Sequence, residues 1–301
     1  MKSKPLVSVF ITTYNHESFI SDCLDSILTQ DYENFEIIVG DDASTDNNQE
    51  ILLEYKDRYP NIIKLVLHEK NIGITNNCNS ILPLCNGRYI ASIGGDDQML
   101  PDKLSIQVEY LENNEHCNMC FHNLEAFDSD TDNILYYTHF DGNGKRKRDS
   151  GTIKDAIKEG VFFSPISLMM RAVNLPQGGF DERIPMASDW LFYVDVLSKG
   201  GSVEYIDNIL GRYRRSSNSI TINRPDGFRL EVDILNSINI IMIRYPEFTK
   251  EALYRYGQML FKMRKHKNYF DFVKSSLKLG FHLKGFIAYM LYIISVGRIQ
   301  K

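Results

Sequence analysis

Four short runs of almost entirely apolar residues, separated by segments of helical periodicity, constrain what the first third of the chain can form. The runs are LVSVFI (residues 6–11), FEIIVG (35–40), IIKLVL (62–67) and YIASIG (89–94). Runs of this kind are typical of strands that are covered on both faces. Between the first two runs, apolar residues recur at helical spacing from Phe19 to Leu28. The alternation predicts a Rossmann-like α/β fold with a mostly parallel sheet and helices on both faces.

Polar clusters directly follow three of the predicted strands. They are TTYN (12–15), DDASTD (41–46) and GGDD (94–97). Ligands of such sheets lie at the carboxyl ends of the strands, so we expect the clusters to form one rim rich in hydroxyls and carboxylates. Asp46 and Gln49 have the spacing of a capping box, which predicts a helix start there. The phosphate fingerprint GxGxxG is absent after the first strand, which counts against a dinucleotide-binding protein.

Asp96 and Asp97 are adjacent carboxylates at the end of a predicted buried strand. Two such groups repel each other unless a positive charge lies beside them, so the pair predicts a cation site, a capped helix or a solvated acidic turn. Gly94 and Gly95 precede the pair and let the backbone approach a ligand closely. Oxygen ligands of this kind suit Mg²⁺ or Mn²⁺ carrying a diphosphate, and we favour that interpretation.

The cysteines and the N-terminal segment indicate the compartment. The five cysteines are scattered and odd in number, so a disulfide framework is not expected. The apolar stretch near the start is about seven residues long and is not followed by a small-residue cleavage site, so we interpret it as a strand and not as a signal peptide. At Cys117 and Cys120 a zinc or thiol-exchange site is the less favoured alternative to a further strand, because a second cysteine pair is missing. We therefore expect a cytoplasmic protein.

Several motifs in order resemble one known family. They are SVFITTYNHESFISDCLDSILTQDYENFEIIVGDDASTD (8–46), NIG (71–73) and GRYIASIGGDDQMLPDKL (87–104). From about residue 5 to about residue 220 the chain is similar to the family 2 glycosyltransferases. The resemblance implies the GT-A fold and the inverting transfer of a sugar from a nucleotide diphosphate to an acceptor.

The resemblance also implies roles for individual residues. Thr12 and Tyr14 would line the nucleotide pocket, and Asp41 would accept a hydrogen bond from the pyrimidine ring nitrogen. Asp96 would contact the ribose or the metal shell. Asp97 would hold the divalent cation, Mn²⁺ or Mg²⁺, against the diphosphate.

Asp189 lies in the segment MASDWLFYVDVL (186–197) and resembles the acidic residue that serves the family as general base. By residue type alone, an aspartate at a helix start predicts an N-cap. The family context favours the catalytic role instead. Trp190, the single tryptophan, is expected in the core.

The chain departs from the family pattern at two positions. Gly94 stands where many relatives carry an acidic residue, which leaves fewer protein ligands for the cation. Ser216 stands where the family's closing segment often carries a histidine that faces the diphosphate. Arg214 or Arg215 is the candidate for a cationic clamp in its place.

The C-terminal part of the chain is electrostatically distinct, since from Arg244 to the end there are 12 Lys and Arg against 3 Asp and Glu. The apolar stretch from Phe281 to Val296 has an uncharged part of about 13 residues, which is too short to span a bilayer. We predict a GT-A domain over residues 1–222, with a nucleotide-sugar half to about 110 and an acceptor half from about 111. A basic helical extension over 223–301 either docks as a structural helix or contacts the inner leaflet of the membrane.

The expected function is a metal-dependent hexosyl- or N-acetylhexosaminyltransferase of polysaccharide synthesis, acting in O-antigen or capsule assembly. The expected partners are a nucleotide-sugar donor, with UDP favoured, and a glycan or lipid-linked acceptor. No nucleic acid is expected, and a homo-oligomer is left open. The alternatives are a nucleotidyltransferase, which needs a Gly-rich basic loop after the first strand, and a non-catalytic nucleotide-sugar-binding scaffold, which needs no base.

Overall fold

The computed structural model describes residues 4–216 and 229–263, together with residues 270, 273, 274, 277, 286, 287, 290 and 293. The domain boundary that we predict at residue 222 lies outside the described residues. Most of the basic, apolar tail, to which we assign a membrane contact, lies outside them as well.

The strands are β1 (Val7–Thr13), β2 (Phe35–Asp41), β3 (Ile63–Leu67), β4 (Tyr89–Gly94), β5 (Gln98–Met99), β6 (Cys117–Asp128), β7 (Ile134–Tyr137), β8 (Ser150–Gly151), β9 (Met169–Arg171) and β10 (Ser202–Arg215). The helices are α1 (Ile20–Leu28), α2 (Asn48–Arg58), α3 (Ile74–Ile81), α4 (Lys103–Asn113), α5 (Ile153–Glu159), α6 (Ser188–Leu197), α7 (Arg229–Arg244) and α8 (Thr249–Lys262).

The described strands form one sheet in the order β3-β2-β1-β4-β9-β6-β10-β5, with β7 paired to β6 and β8 to β10. Strands β3, β2, β1 and β4 are parallel to one another, and so are β6 and β10. The short strand β9 joins the two parallel groups by pairing antiparallel with both β4 and β6. The predicted mixed α/β architecture with a mostly parallel sheet is confirmed.

Strands β1 and β2 are apolar at nearly every position, so they present apolar side chains on both faces of the sheet, and both faces are covered. Val7, Val9 and Ile11 pack into one buried cluster with the apolar stripe of α1, which has no polar residue at its buried positions. On the opposite face, the Phe10 ring stacks on Phe180 with ring centroids 6.3 Å apart. Helix α3 covers β2 on that face so closely that a Cβ at Gly40 would lie 2.2 Å from Asn77 Oδ1.

One local expectation is corrected. Gln49 does not close a capping box with Asp46, because its Nε2 donates to Asp41 Oδ1 at 2.6 Å. Helix α4 begins at Lys103, after Asp102 in the left-handed conformation, so Pro101 precedes this helix. The polar stretch from Asp128 to Ser150 contains β7, which pairs with β6.

The chain divides into two compact units. One comprises Met1–Ile153 and Val161–Pro225, and the other comprises Lys154–Gly160 and Asp226–Lys301. In the second unit α7 and α8 pack through buried apolar side chains, among them Ile238, Ile241 and Tyr256. Across the described residues, the helices are too short or too polar to cross a bilayer.

Lys103 is a buried cation beneath the sheet. Its side chain is 1% exposed, and its Nζ donates to Gln107 Oε1 at 2.6 Å. Burial lowers the pKa of Lys103 to about 7. Burial also raises the pKa of the neighbouring Cys120 to about 12 and lowers the pKa of His122 well below its usual 6.5. Near neutral pH, Lys103 is therefore the member of this cluster that titrates.

We expect the free energy of unfolding to rise between about pH 7 and pH 8, by at most about 1.4 kcal/mol per pH unit. The unfolded chain keeps the Lys103 proton in this range while the folded chain loses it, so raising the pH favours the folded state. Lys103→Met should remove this rise. Urea unfolding of both proteins at several pH values measures it, and an equal rise in the variant would show that the folded lysine stays charged.

Candidate active site

The ends of β1, β2 and β4 meet in one rim, as expected for the three polar clusters. The Asp42 N–H donates to Thr13 O, and the Gly95 N–H donates to Thr12 O, each at 3.0 Å. Side chains extend the connection, since the Thr45 N–H donates to Asn15 Oδ1 at 2.8 Å. Asn15 has a φ of 54°, a left-handed conformation that asparagine adopts more readily than most residues.

Thr12 and Tyr14 both lie on this rim, at the end of β1. Thr12 is partly buried, and the Tyr14 side chain is 38% exposed. An exposed aromatic ring beside a polar crevice is suited to contact a flat ligand group such as a base. The nucleotide contact of both residues stays a prediction.

Asp41 is fully buried, and its carboxylate holds the second polar cluster together. Oδ1 accepts from the Ser44 N–H at 2.9 Å and from Gln49 Nε2 at 2.6 Å. Oδ2 accepts from Ser44 Oγ at 2.5 Å and from Asn48 Nδ2 at 2.7 Å. The base contact that we predict for Asp41 therefore requires that one of these donors give way.

Asp42 is a structural residue of the rim that the sequence did not reveal. Its oxygens accept from the N–H groups of Ile72 and Gly73 at 2.7 and 3.0 Å. This carboxylate ties the start of α3 to the end of β2. The NIG motif (71–73) was the available signal, because Gly73 has a φ of 84° that favours glycine.

Asp96 and Asp97 turn their carboxylates toward the same space, above Gly94. A Cβ at Gly94 would lie 2.8 Å from Asp96 Oδ1 and 3.1 Å from Asp97 Oδ2. A Cβ at Gly95 would lie 2.7 Å from Thr13 Oγ1. A side chain at position 94 would therefore displace the Asp96 carboxylate, and a side chain at position 95 would displace Thr13.

Arg214 fixes the aspartate turn from the end of β10. Its backbone N–H donates to Asp97 Oδ1 at 2.9 Å, and its Nε donates to the carbonyl oxygen of Asp96 at 2.8 Å. The guanidinium is sandwiched by aromatic rings, 4.4 Å from the Phe19 centroid and 4.7 Å from that of Phe127. Arg214 is thus a support of the carboxylates, whereas Arg215 turns to the Tyr213 hydroxyl at 3.3 Å.

The pair has the character of a site for a divalent cation. Asp97 is 2% exposed, and burial together with the charge of Asp96 raises its pKa well above the usual range, although the N–H and the charge of Arg214 oppose the rise. A bound cation would remove this penalty, and carboxylate oxygens are the ligands that Mg²⁺ and Mn²⁺ prefer. Within the described part of the chain no group of three or more His, Cys, Asp or Glu residues converges on one point. A cation here would take Asp96 Oδ1 and Asp97 Oδ2 and leave its other positions to a ligand or water.

Asp189 lies in the first turn of α6, a helix whose other residues are all buried. It does not cap the helix through its side chain, which accepts the N–H of Trp190 at 2.8 Å. Burial raises the pKa of Asp189, and this N–H limits the rise. A carboxylate with a raised pKa is a better proton acceptor near neutral pH than an ordinary one. Trp190 is 4% exposed and belongs to the core, as expected.

Thr75 connects the base candidate to the rim. Its Oγ1 lies 2.8 Å from Ser188 Oγ and donates to Ile184 O at 2.8 Å. Since Asp42 holds Gly73 two residues earlier, a short series of bonds runs from the end of β2 through α3 to the residue before Asp189. The sequence of α3 alone indicated no role for it in the site.

A family model described as glycosyl transferase family 2 matches residues 8–175, more than half of the chain. An uncharacterised protein of Mycobacterium tuberculosis is 31% identical over 219 residues, which are 71% of this chain and 60% of that protein. TuaG of Bacillus subtilis, which carries the provisional name of a teichuronic acid biosynthesis glycosyltransferase, is 29% identical over 223 residues, 73% of this chain and 83% of TuaG. The chain thus spans less than two thirds of the mycobacterial protein.

Among solved structures, residues 1–349 of TarS from S. aureus in complex with UDP-GlcNAc align with a TM-score of 0.62 and 20% identity. The alignment covers 78% of this chain and 66% of that one. A likeness at this identity shows the fold, and it agrees with the sheet and helices described above.

Asp97→Asn should stabilise the protein in the absence of metal ions, because it removes a buried charge and keeps an oxygen for the Arg214 N–H. We expect the melting temperature at pH 7, with a chelator present, to rise by about 2 °C or more. The gain should shrink as the pH falls, since the folded Asp97 then takes up a proton and loses its penalty. Asp96→Asn, at a partly exposed position, is the matched control and should give a smaller gain. A variant less stable than the parent would show that the Asp97 charge is already compensated.

Proposed function

Because the chain belongs to glycosyl transferase family 2, we propose that it transfers a sugar from a nucleotide diphosphate sugar to a hydroxyl of a glycan or lipid-linked glycan. The observation that carries the proposal is the buried, undercompensated carboxylate of Asp97, beside Asp96, at the carboxyl end of β4. This is the place where an open parallel sheet binds its ligand. The products are the glycosylated acceptor and a nucleoside diphosphate.

We assign the nucleotide to the rim formed by the ends of β1 and β2. Tyr14 and Thr12 would contact the nucleoside, and Asp41 would accept from the pyrimidine ring nitrogen if Gln49 swings away. A uridine nucleotide is favoured, and the UDP-GlcNAc bound by TarS supports this choice for a protein of the same fold. Release of UDP from a panel of UDP-sugars distinguishes a hexose donor from an N-acetylhexosamine donor.

The cation site is assigned to Asp97 Oδ2 and Asp96 Oδ1, with Asp96 also near the ribose. A divalent cation bound there would neutralise the charge that develops on the departing diphosphate. The protein's own contribution is to hold the Asp97 carboxylate and the Asp96 backbone in place through Arg214 and to keep water from Asp97.

Asp189 is proposed as the general base. It accepts the proton of the acceptor hydroxyl while the acceptor oxygen bonds to the anomeric carbon and the bond to the diphosphate breaks. Because the carboxylate takes a proton and forms no bond to the sugar, the transfer is one displacement and the anomeric configuration inverts.

Two other functions fit the residues less well. A nucleotidyltransferase needs a Gly-rich basic loop after the first strand to hold a triphosphate, and the segment TTYNHES (12–18) offers neither feature. A non-catalytic binding protein has no need for a half-buried carboxylate such as Asp189 with a raised pKa. The provisional name of TuaG supports a role in surface-polysaccharide synthesis, where O-antigen or capsule assembly would place the protein at the inner membrane.

Nucleotide binding should depend on a divalent cation, and Asp97→Asn should remove that dependence. We expect calorimetric titration of UDP into the full chain to give an affinity at least about tenfold higher with Mn²⁺ than with a chelator, since a cation held by the carboxylates would neutralise the diphosphate. Asp102→Asn, on the exposed turn before α4, is the control and should leave the cation effect unchanged. Equal affinities in both conditions for the parent protein would contradict the assigned cation site.

Asp189→Asn should leave UDP binding within a few fold and lower sugar transfer by about 10² or more, the contribution of a general base. The measurement is release of UDP from a panel of UDP-sugars with Mn²⁺, with water or an added glycan as acceptor. Asp195→Asn, in the same helix and also buried, tests whether any lost carboxylate of α6 has the same effect. Near-full transfer by the Asp189 variant would make Asp189 a structural residue, and no turnover of any nucleotide sugar by the parent would contradict the proposed function.

A further inference from the structure

A pocket of about 550 Å³ lies beside the candidate active site and has no role in the functions assigned so far. It belongs entirely to the first unit, and its size is that of a small-molecule site. The residues that line it are Thr138, Lys147, Val161, Phe162, Phe163, Ser164, Pro165, Ile166 and Tyr213.

The lining combines aromatic rings with one cation. Phe162 and Tyr213 are partly exposed, so their rings are accessible from the pocket, while Phe163 is buried behind them. Partly exposed aromatic faces pack well against the apolar C–H faces of sugar rings. The hydroxyls of Thr138 and Ser164 add polar partners of the kind that orient a ligand.

Lys147 is an exposed cation, and its charge acts on the Asp141 carboxylate only from beyond ion-pair distance. Its Nζ donates to the Thr138 carbonyl oxygen at 2.6 Å, which holds the ammonium at the pocket wall. In the described part of the chain no carboxylate lies within ion-pair distance of Lys147, whereas the preceding Arg146 pairs with Asp149 and Asp207. Arg215 adds a second cation behind the wall, since it bonds to the Tyr213 hydroxyl and is likewise without an ion pair among the described residues.

The pocket adjoins the groups that would carry out the transfer. Tyr213 precedes Arg214 in β10, and side chains alternate along a strand, so Tyr213 lies on the face opposite to the one where Arg214 meets Phe19. On the pocket side, the Phe163 ring meets Tyr193 of α6 edge to face, with centroids 5.3 Å apart. Tyr193 lies one turn after Asp189, close enough for the charge of Asp189 to raise its pKa. The other wall is tied to β4, because Ser92 Oγ donates to Pro165 O at 2.7 Å.

We infer that this pocket receives the acceptor and that the acceptor is an anionic glycan, whose carboxylate or phosphate pairs with Lys147 while a sugar ring stacks on Phe162 or Tyr213. The inference rests on the proposed function, and it adds the chemical class of the acceptor. The shared chemistry is a negative charge on the sugar. It has two sources, a uronate carboxylate and a phosphate ester.

Ligand-observed NMR titration of the full chain with UDP and Mn²⁺ tests the inference with three probes. They are methyl β-D-glucuronide, glucose 1-phosphate and neutral methyl β-D-glucoside. We expect one or both anionic probes to bind about threefold to tenfold more tightly than the neutral one, the effect of a partly exposed charged pair. Comparison of the two anionic probes distinguishes the carboxylate from the phosphate.

Variants identify the side chain that gives the preference for anionic probes. Lys147→Met should abolish it and Lys147→Arg should keep it, while Phe162→Ala should weaken all three probes alike. Lys145→Met removes an exposed charge from the same basic run, outside the pocket, and should change nothing. Equal binding of neutral and anionic probes by the parent, or a preference that survives Lys147→Met, would overturn the inference.

UDP affinity measured by calorimetry distinguishes a failure of the acceptor inference from a failure of the proposed function. If the parent binds UDP with Mn²⁺ and shows no anionic preference, only the acceptor inference fails. If it binds no nucleotide at all, the proposed function fails, whatever the probes do.

Discussion

The hydrogen bond from the Arg214 backbone N–H to Asp97 Oδ1 is the contact on which the candidate site depends. It joins residues separated by 117 positions and connects β10, the last described strand of the first unit, to the turn after β4. Asp97 would otherwise be a buried carboxylate beside a like charge without any donor, an arrangement that costs several kcal/mol. The Arg214 guanidinium is in turn held between two rings, so the turn that presents the carboxylates is supported by a preorganised side chain.

Side chains alternate between the two faces of β10, and the two faces have different roles in the candidate site. Arg214 lies on the face with α1 and stabilises the aspartate turn, and Tyr213 lies on the face with α6 and opens onto the aromatic pocket. The base candidate Asp189 is on the pocket side, at the start of a helix whose position is fixed through Thr75 and Ser188. A donor bound at the rim and an acceptor bound in the pocket would therefore reach the reaction centre from different sides, as a single displacement with inversion requires.

The parallel core could be predicted from sequence because its signal is local. Strands β1, β2 and β4 are almost entirely buried, so each is a nearly continuous apolar run, and α1 has one apolar stripe. The edge strand β3 is apolar except for the exposed Lys64. Strand β7 could not be predicted in the same way, since its four residues Ile134–Tyr137 are all exposed and follow a polar stretch. Strand β9 is only three residues long and exists because it fills the gap between β4 and β6. The rim of the site followed from topology, whereas the bonds of Gln49, Asp42 and Arg214 depend on tertiary contacts that no local pattern records.

The carboxylates of the rim differ in the number of hydrogen-bond donors that they have. This number distinguishes carboxylates with a structural role from those that are candidates for ligand binding. Asp41 has four donors and Asp42 has two backbone N–H groups, so each behaves as an internal connector of the loops. Among the described residues Asp97 has one N–H donor and a like charge beside it, and its raised pKa records the deficit. Sequence presents these three residues as members of two equivalent Asp-Asp pairs. Only the count of donors in the folded chain distinguishes Asp97 as the carboxylate with an uncompensated charge, and this deficit is the observation that supports its proposed role in binding a cation.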